Sequence, residues 1–134
     1  MTAPPVAVVD TSVFVAREAG RAVRSDLLPD QSVVSVITVA ELRAGVLAAA
    51  GTASASARLA TMEAVDEIAL LDIDTPVAHV WAEMRVHLAH SGRRVNVNDL
   101  WIAATAAANN MPVVTQDADF DAIEGVASLR VIQL

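Results

Sequence analysis

The sequence predicts an α/β fold, a three-layer α/β/α sandwich around a mainly parallel sheet of four to five strands, in one domain over residues 1–134. Three observations carry that expectation. Short runs rich in Val, Ile and Leu are mostly apolar rather than alternating, as strands covered on both faces are. They alternate with longer stretches of helical periodicity, the pattern of a parallel sheet. No linker, repeat or low-complexity segment divides the 134 residues, an ordinary length for one domain.

In chain order, strands are expected at Val6–Val9, Ser32–Val36, Ile68–Leu71, Val113–Val114 and Leu129–Ile132. Asp10 or Ser12 is placed to cap a first helix directly after the first strand. A second helix is expected from Thr38 to Ala50, opened by the capping box Thr38-x-x-Glu41. The Ala/Ser-rich stretch 48–57 reads as a turn into a third helix, Ser54–Asp66, with Leu59 and Met62 on one face. A fourth, Thr75–His90, takes Thr75 as its cap and Pro76 at its first position. Its stripe Val77, Val80, Trp81, Met84, Leu88 marks the buried face. His79, Glu83, His87 and His90 fall on the other side, which reads as a solvated face rather than a metal site. Asn98 is expected to cap a last helix that ends before Pro112.

Composition narrows the function. The chain has no cysteine, so disulfides, thiolate zinc sites and cysteine nucleophiles are excluded, and a cytoplasmic location is expected. It has no lysine either, which removes P-loop and Schiff-base chemistry. Residues 1–10 lack the basic region of a signal peptide, and no apolar stretch of about 18 residues predicts a membrane span. The net charge of −7 means that any nucleic-acid reading rests on a local site and its cations, not on the overall field.

Four acids stand where a parallel sheet gathers its functional groups, beyond the strands' carboxyl ends. Asp10 follows the first strand, Glu41 lies in the helix after the second, Asp99 begins the last helix, and Asp117 follows the fourth strand. Each alone has a local explanation, because caps, helix macrodipoles and Asx-turns all favour acids there. Together they imply more. Two like charges about 4 Å apart repel by about 4 kcal/mol at an effective dielectric of about 20. A converging cluster therefore implies a neutralising cation, and an all-carboxylate set selects Mg²⁺, with Mn²⁺ as the alternative. Carboxylate-held Mg²⁺ serves phosphate chemistry.

The strings around these acids resemble a known family. Val8-Val9-Asp10-Thr11-Ser12-Val13-Phe14, Thr38-Val39-Ala40-Glu41-Leu42, Asn98-Asp99-Leu100-Trp101-Ile102-Ala103-Ala104 and Val114-Thr115-Gln116-Asp117-Ala118-Asp119 look like the four motifs of PIN-domain ribonucleases, in order. The gaps of 31, 58 and 18 residues between the acids suit VapC-type toxins of type II (VapBC) toxin–antitoxin systems. The resemblance covers the whole chain. It implies a Mg²⁺-dependent endoribonuclease with Asp10, Asp99 and Asp117 on the metal and Glu41 beside it, acting directly or through a water. It implies that Ser12 and Thr115 hold the cluster by hydrogen bonds. Asp119 is an alternative to Asp117, which is favoured for lying nearer the strand end. The resemblance also implies a VapB-type antitoxin, seated on the small-residue helices 38–50 and 54–66. A homodimer or a toxin–antitoxin hetero-oligomer is expected.

Arg17, Arg43, Arg93 and Arg94 are candidate RNA contacts, or else ordinary surface arginines. Trp81 and Trp101 are expected in the core or an interface. Two rival enzymes are weak. A haloacid-dehalogenase-like phosphatase needs a second acid where Ser12 stands, and it and a receiver domain both need a lysine. A binding-only module, with the acids merely capping helices, is the rival from another class. It would show no thermal stabilisation by Mg²⁺.

Overall fold

The computed structural model describes residues 2–134. Five strands form one sheet: β1 (Val6–Val9), β2 (Gln31–Ser35), β3 (Ala69–Leu71), β4 (Val113–Thr115) and β5 (Val131–Gln133). Their order is β3-β2-β1-β4-β5 and every pairing is parallel. The central strand pairs Val8 with Val33 on one side and with Val113 on the other.

Period-two alternation sorts the strand side chains to two cores. Val8 and Val113 face one cluster, with Met84, Ile102, Phe120 and Ile123. Ala7, Val9 and Val114 face the other, with Val13, Phe14, Leu42 and Val65. The first is covered by α4 (Thr75–Ser91) and α5 (Val97–Ala108). The second is covered by α1 (Thr11–Glu18), α2 (Val36–Leu47) and α3 (Thr52–Asp66). These are the three layers expected. No helix among the described residues is long and apolar enough to cross a membrane.

The local differences have physical causes. α2 starts at Val36, because the Ser35 side chain accepts from the Ile37 N–H at 3.1 Å and caps the helix three residues before Thr38. The Thr38-x-x-Glu41 capping box is therefore not formed. Thr38 is buried inside the helix, and Glu41 lies in the second turn, not the first. α2 also ends earlier, at Leu47, and α3 begins at Thr52, two residues before Ser54. Asp74, not Thr75, caps α4 by accepting from the Val77 N–H at 3.1 Å, so Pro76 moves one position inward. Asn96, not Asn98, caps α5 through the Asn98 N–H at 2.9 Å. β5 begins at Val131, and Leu129 is buried ahead of it, after a short 3-10 turn. His79, Glu83, His87 and His90 are exposed, as expected of a solvated face.

Candidate active site

The strand order reverses between β1 and β4, and such a switch point opens a crevice beyond the carboxyl ends of those two strands. Asp10 sits there. Its backbone N–H donates to Val114 O at 2.9 Å, and its side chain caps α1. The carboxyl is 1% exposed. One oxygen is well held: Oδ2 accepts from the Ser12 hydroxyl at 2.6 Å, the Thr115 hydroxyl at 2.8 Å and the Ser12 N–H at 3.4 Å. Both hydroxyls then act as acceptors, Ser12 from the Gln116 N–H at 3.0 Å and Thr115 from the Asp117 N–H at 2.9 Å. These bonds tie the end of β1 to the end of β4. The other oxygen, Oδ1, is buried and has no partner.

Glu41 reaches the crevice from α2. Its Oε1 accepts from the Thr11 hydroxyl at 2.7 Å, which itself lies 3.0 Å from the buried Thr38 hydroxyl. Its Oε2 accepts from Asn98 Nδ2 at 3.5 Å. Thr11, Thr38 and Asn98 thus position the glutamate. By sequence position Thr38 and Asn98 are expected as helix caps, and nothing marks Thr11. The available signal was Thr11 itself, a hydroxyl between Asp10 and Ser12, but its partners lie 27 and 30 residues away.

Asp99 stands in the first turn of α5, half-buried. Its pKa is pushed up to about 7, first by burial and then by the negative charges of Asp10, Asp117 and Glu41; a hydrogen bond to Asp117 adds to the effect. Burial also raises the Asp10 pKa, against the Ser12 and Thr115 hydrogen bonds that lower it, with a further rise from the Glu41 charge. The four acids therefore share one electrostatic environment. Asp119 is exposed on the following 3-10 turn, where its N–H donates to Asp117 Oδ1 at 2.8 Å. It does not contribute to the Asp99 shift.

Among the described residues the only ion pair is Arg24–Asp26, at 2.7 Å on the surface, so no arginine neutralises the four acids. Arg17 and Arg43 are exposed. Arg93 and Arg94 line a separate cleft at the α4–α5 turn.

The donors fit a hard divalent cation in kind. They are all carboxylate oxygens, and the unpartnered buried Oδ1 of Asp10 is the atom a cation would satisfy. As they stand, no three acid or imidazole side chains among the described residues are drawn into a closed cage.

The PIN domain family model matches residues 7–126. The chain belongs to the PIN-domain family. This PIN domain is 52% identical over 133 residues to ribonuclease VapC5 of Mycobacterium tuberculosis, covering 99% of this chain and 98% of the relative. It is 39% identical to ribonuclease VapC4 of the same organism, covering 93% and 96%. The crystal structure of VapBC-5 from M. tuberculosis, a member of the VapBC family of toxin–antitoxin systems, matches with a TM-score of 0.91 at 50% identity. The match covers 98% of this chain and all of that one.

Proposed function

We propose that this PIN domain is a divalent-metal-dependent endoribonuclease, the toxin of a type II toxin–antitoxin pair, and that it hydrolyses RNA in the Asp10–Glu41–Asp99–Asp117 crevice. The observation that carries the reading is the Asp10 carboxyl, buried with one free oxygen among three other acids and no cationic partner. The names of the VapC5 and VapC4 relatives support the substrate class. Asp10, Asp99 and Asp117 would hold Mg²⁺ (or Mn²⁺), with Glu41 beside them. The cation supplies polarisation of a phosphoryl oxygen and a water nucleophile available at neutral pH. Ser12 and Thr115 keep Asp10 Oδ2 in place and leave Oδ1 free. Thr11 and Asn98 fix both oxygens of Glu41, so it acts as an oriented acceptor toward a water or the substrate. Asp117, capping its 3-10 turn, is preferred to Asp119 as the fourth acid.

A VapB-type antitoxin is the proposed partner, in a toxin–antitoxin hetero-oligomer in the cytoplasm. The VapBC-5 structure supports this. So does a 250 Å³ groove lined by Val15, Leu42 and Arg58 that reaches Glu41, with Leu47 and Leu59 exposed on the same helix pair.

The test is to map cleaved 5′ ends in total cellular RNA after induced expression. The native chain is expected to leave 5′-phosphate and 3′-hydroxyl ends at recurrent sites. Asp10→Asn, with its fold intact, is expected to leave the RNA whole. Equal cleavage by the two proteins would overturn the role given to Asp10.

A further inference from the structure

We infer that the cleft at the α4–α5 turn is a phosphate-binding subsite that holds the RNA backbone outside the acidic crevice. The inference rests on the ribonuclease reading and deepens it. The cleft has a volume of about 490 Å³ and gathers Arg85, Arg93 and Arg94, three of the nine basic residues of a chain with net charge −7. No Asp or Glu lines it, and no ion pair among the described residues engages any of the three arginines. The C-terminus of α4 favours nearby cations and so accounts for Arg93 and Arg94. It does not account for Arg85, six residues before that end. Trp81 forms one wall, stacked on Trp101 at 4.9 Å, and its indole N–H is buried without a partner.

Position links the cleft to the chemistry. Val97 lines it and begins α5, whose first turn also carries Asp99. A strand crossing the α5 N-terminus would pass from the arginines to the acids. An acidic crevice repels a polyanion, so net attraction has to come from elsewhere on the surface. Unpaired guanidinium groups suit that task, because they hold phosphate oxygens in a bidentate fork.

The test compares Asp10→Asn protein with the same protein carrying Arg85→Gln, Arg93→Gln and Arg94→Gln. Binding of a fluorescent mixed-sequence RNA strand of roughly 20 nucleotides is read by anisotropy across a salt series. Removing three phosphate contacts should lower the slope of log K against log salt by about 2, at roughly 0.7 per contact on a single strand. Affinity at low salt should fall at least about tenfold. Arg130→Ala, before β5 at the opposite end of the sheet, should leave slope and affinity as they were. An unchanged slope and affinity in the triple variant, while native protein still cuts RNA, overturns the subsite alone. A triple variant that keeps its RNA affinity but sediments as a smaller species also overturns it, and assigns the cleft to a second copy of the chain. If native protein with Mg²⁺ or Mn²⁺ cuts no RNA at all, the ribonuclease reading fails and the subsite fails with it.

Discussion

The two faces of the sheet are built to different standards. On one, α5 is buried nearly all round: Leu100, Ile102, Ala103, Ala104, Thr105, Ala106 and Ala107 are all shielded from solvent. On the other, α2 carries Val36, Ile37, Val39, Leu42, Val46 and Leu47 yet buries only Thr38 and Leu42. α3 buries only Val65 of its 15 residues. Leu47 is 72% exposed. An apolar helix is thus not by itself a core helix. One face holds the fold together; the other leaves apolar surface uncovered, as a binding face does. The acids sit at the seam, with Asp99 brought by the packed face and Glu41 by the open one.

The contrast is most directly broken by truncation on each side. Ile102 is fully buried, and Ile102→Ala should cost about 2–5 kcal/mol through lost contacts and a residual cavity. Leu59 on α3 is 43% exposed, and Leu59→Ala should cost less than about 1 kcal/mol. Urea unfolding of both variants decides the matter. Equal losses would mean that α3 is as much a part of the core as α5.

The open face should show its function in binding. Leu47→Asp is expected to leave the unfolding midpoint nearly unchanged and to weaken capture of the cognate VapB-type antitoxin at least about 100-fold, near 3 kcal/mol. Titration calorimetry on the purified pair measures it. Full affinity in the variant would remove the α2–α3 surface as the docking face.

At the seam, Mg²⁺ should stabilise the native chain by about 2.7 kcal/mol at a concentration 100 times its dissociation constant. Asp10→Asn should lose most of that gain. A melting temperature indifferent to Mg²⁺ and Mn²⁺ would return the acids to the role of helix caps.

The layers and the placement of Asp10, Asp99 and Asp117 at element ends were legible in the sequence because each depends on local pattern. Val6–Val9 is an unbroken apolar run, and Asp10, Asp99 and Asp117 stand beside a strand or helix end that the same pattern marks. The support of Glu41 was not legible. Ser35 and Thr38 are both good caps by composition; Ser35 takes the cap, and Thr38 is buried one turn inside, 3.0 Å from Thr11. That contact joins α1 to α2 across 27 residues, and no periodicity encodes it. The shift of β5 to Val131 has a similar origin. Leu129 has the apolar character of a strand residue, but it is used to close the core under the preceding 3-10 turn. The gathering of Arg85 with Arg93 and Arg94 likewise depends on how α4 turns into α5, through Gly92 in the left-handed region at φ 68°.

The smallest effect tests whether the packed face holds the acids together against their own repulsion. α5 is fixed by its core contacts, so Asp99 stays beside Asp10, Asp117 and Glu41 and its pKa rises from the ordinary aspartate value of about 3.9 to about 7. Between those two values the folded chain holds a proton that the unfolded chain has released. Stability of the metal-free protein should therefore fall as pH rises from about 4 to about 7 and level off above that. Asp10, raised by burial, acts in the same direction. The fall should be on the order of 1 kcal/mol, because solvent screening at a half-buried carboxyl discounts the full shift. Asp99→Asn removes the titrating group and should flatten most of the slope, leaving a metal-free protein more stable than the native chain at pH 8. With Mg²⁺ present the trend should reverse, because the cation competes with protons for the same oxygens and holds best where they are ionised. Urea midpoints at pH 4, 6 and 8, with and without Mg²⁺, measure all three. A native slope that survives Asp99→Asn would place the repulsion elsewhere in the molecule and leave α5 with no opposing charge to restrain.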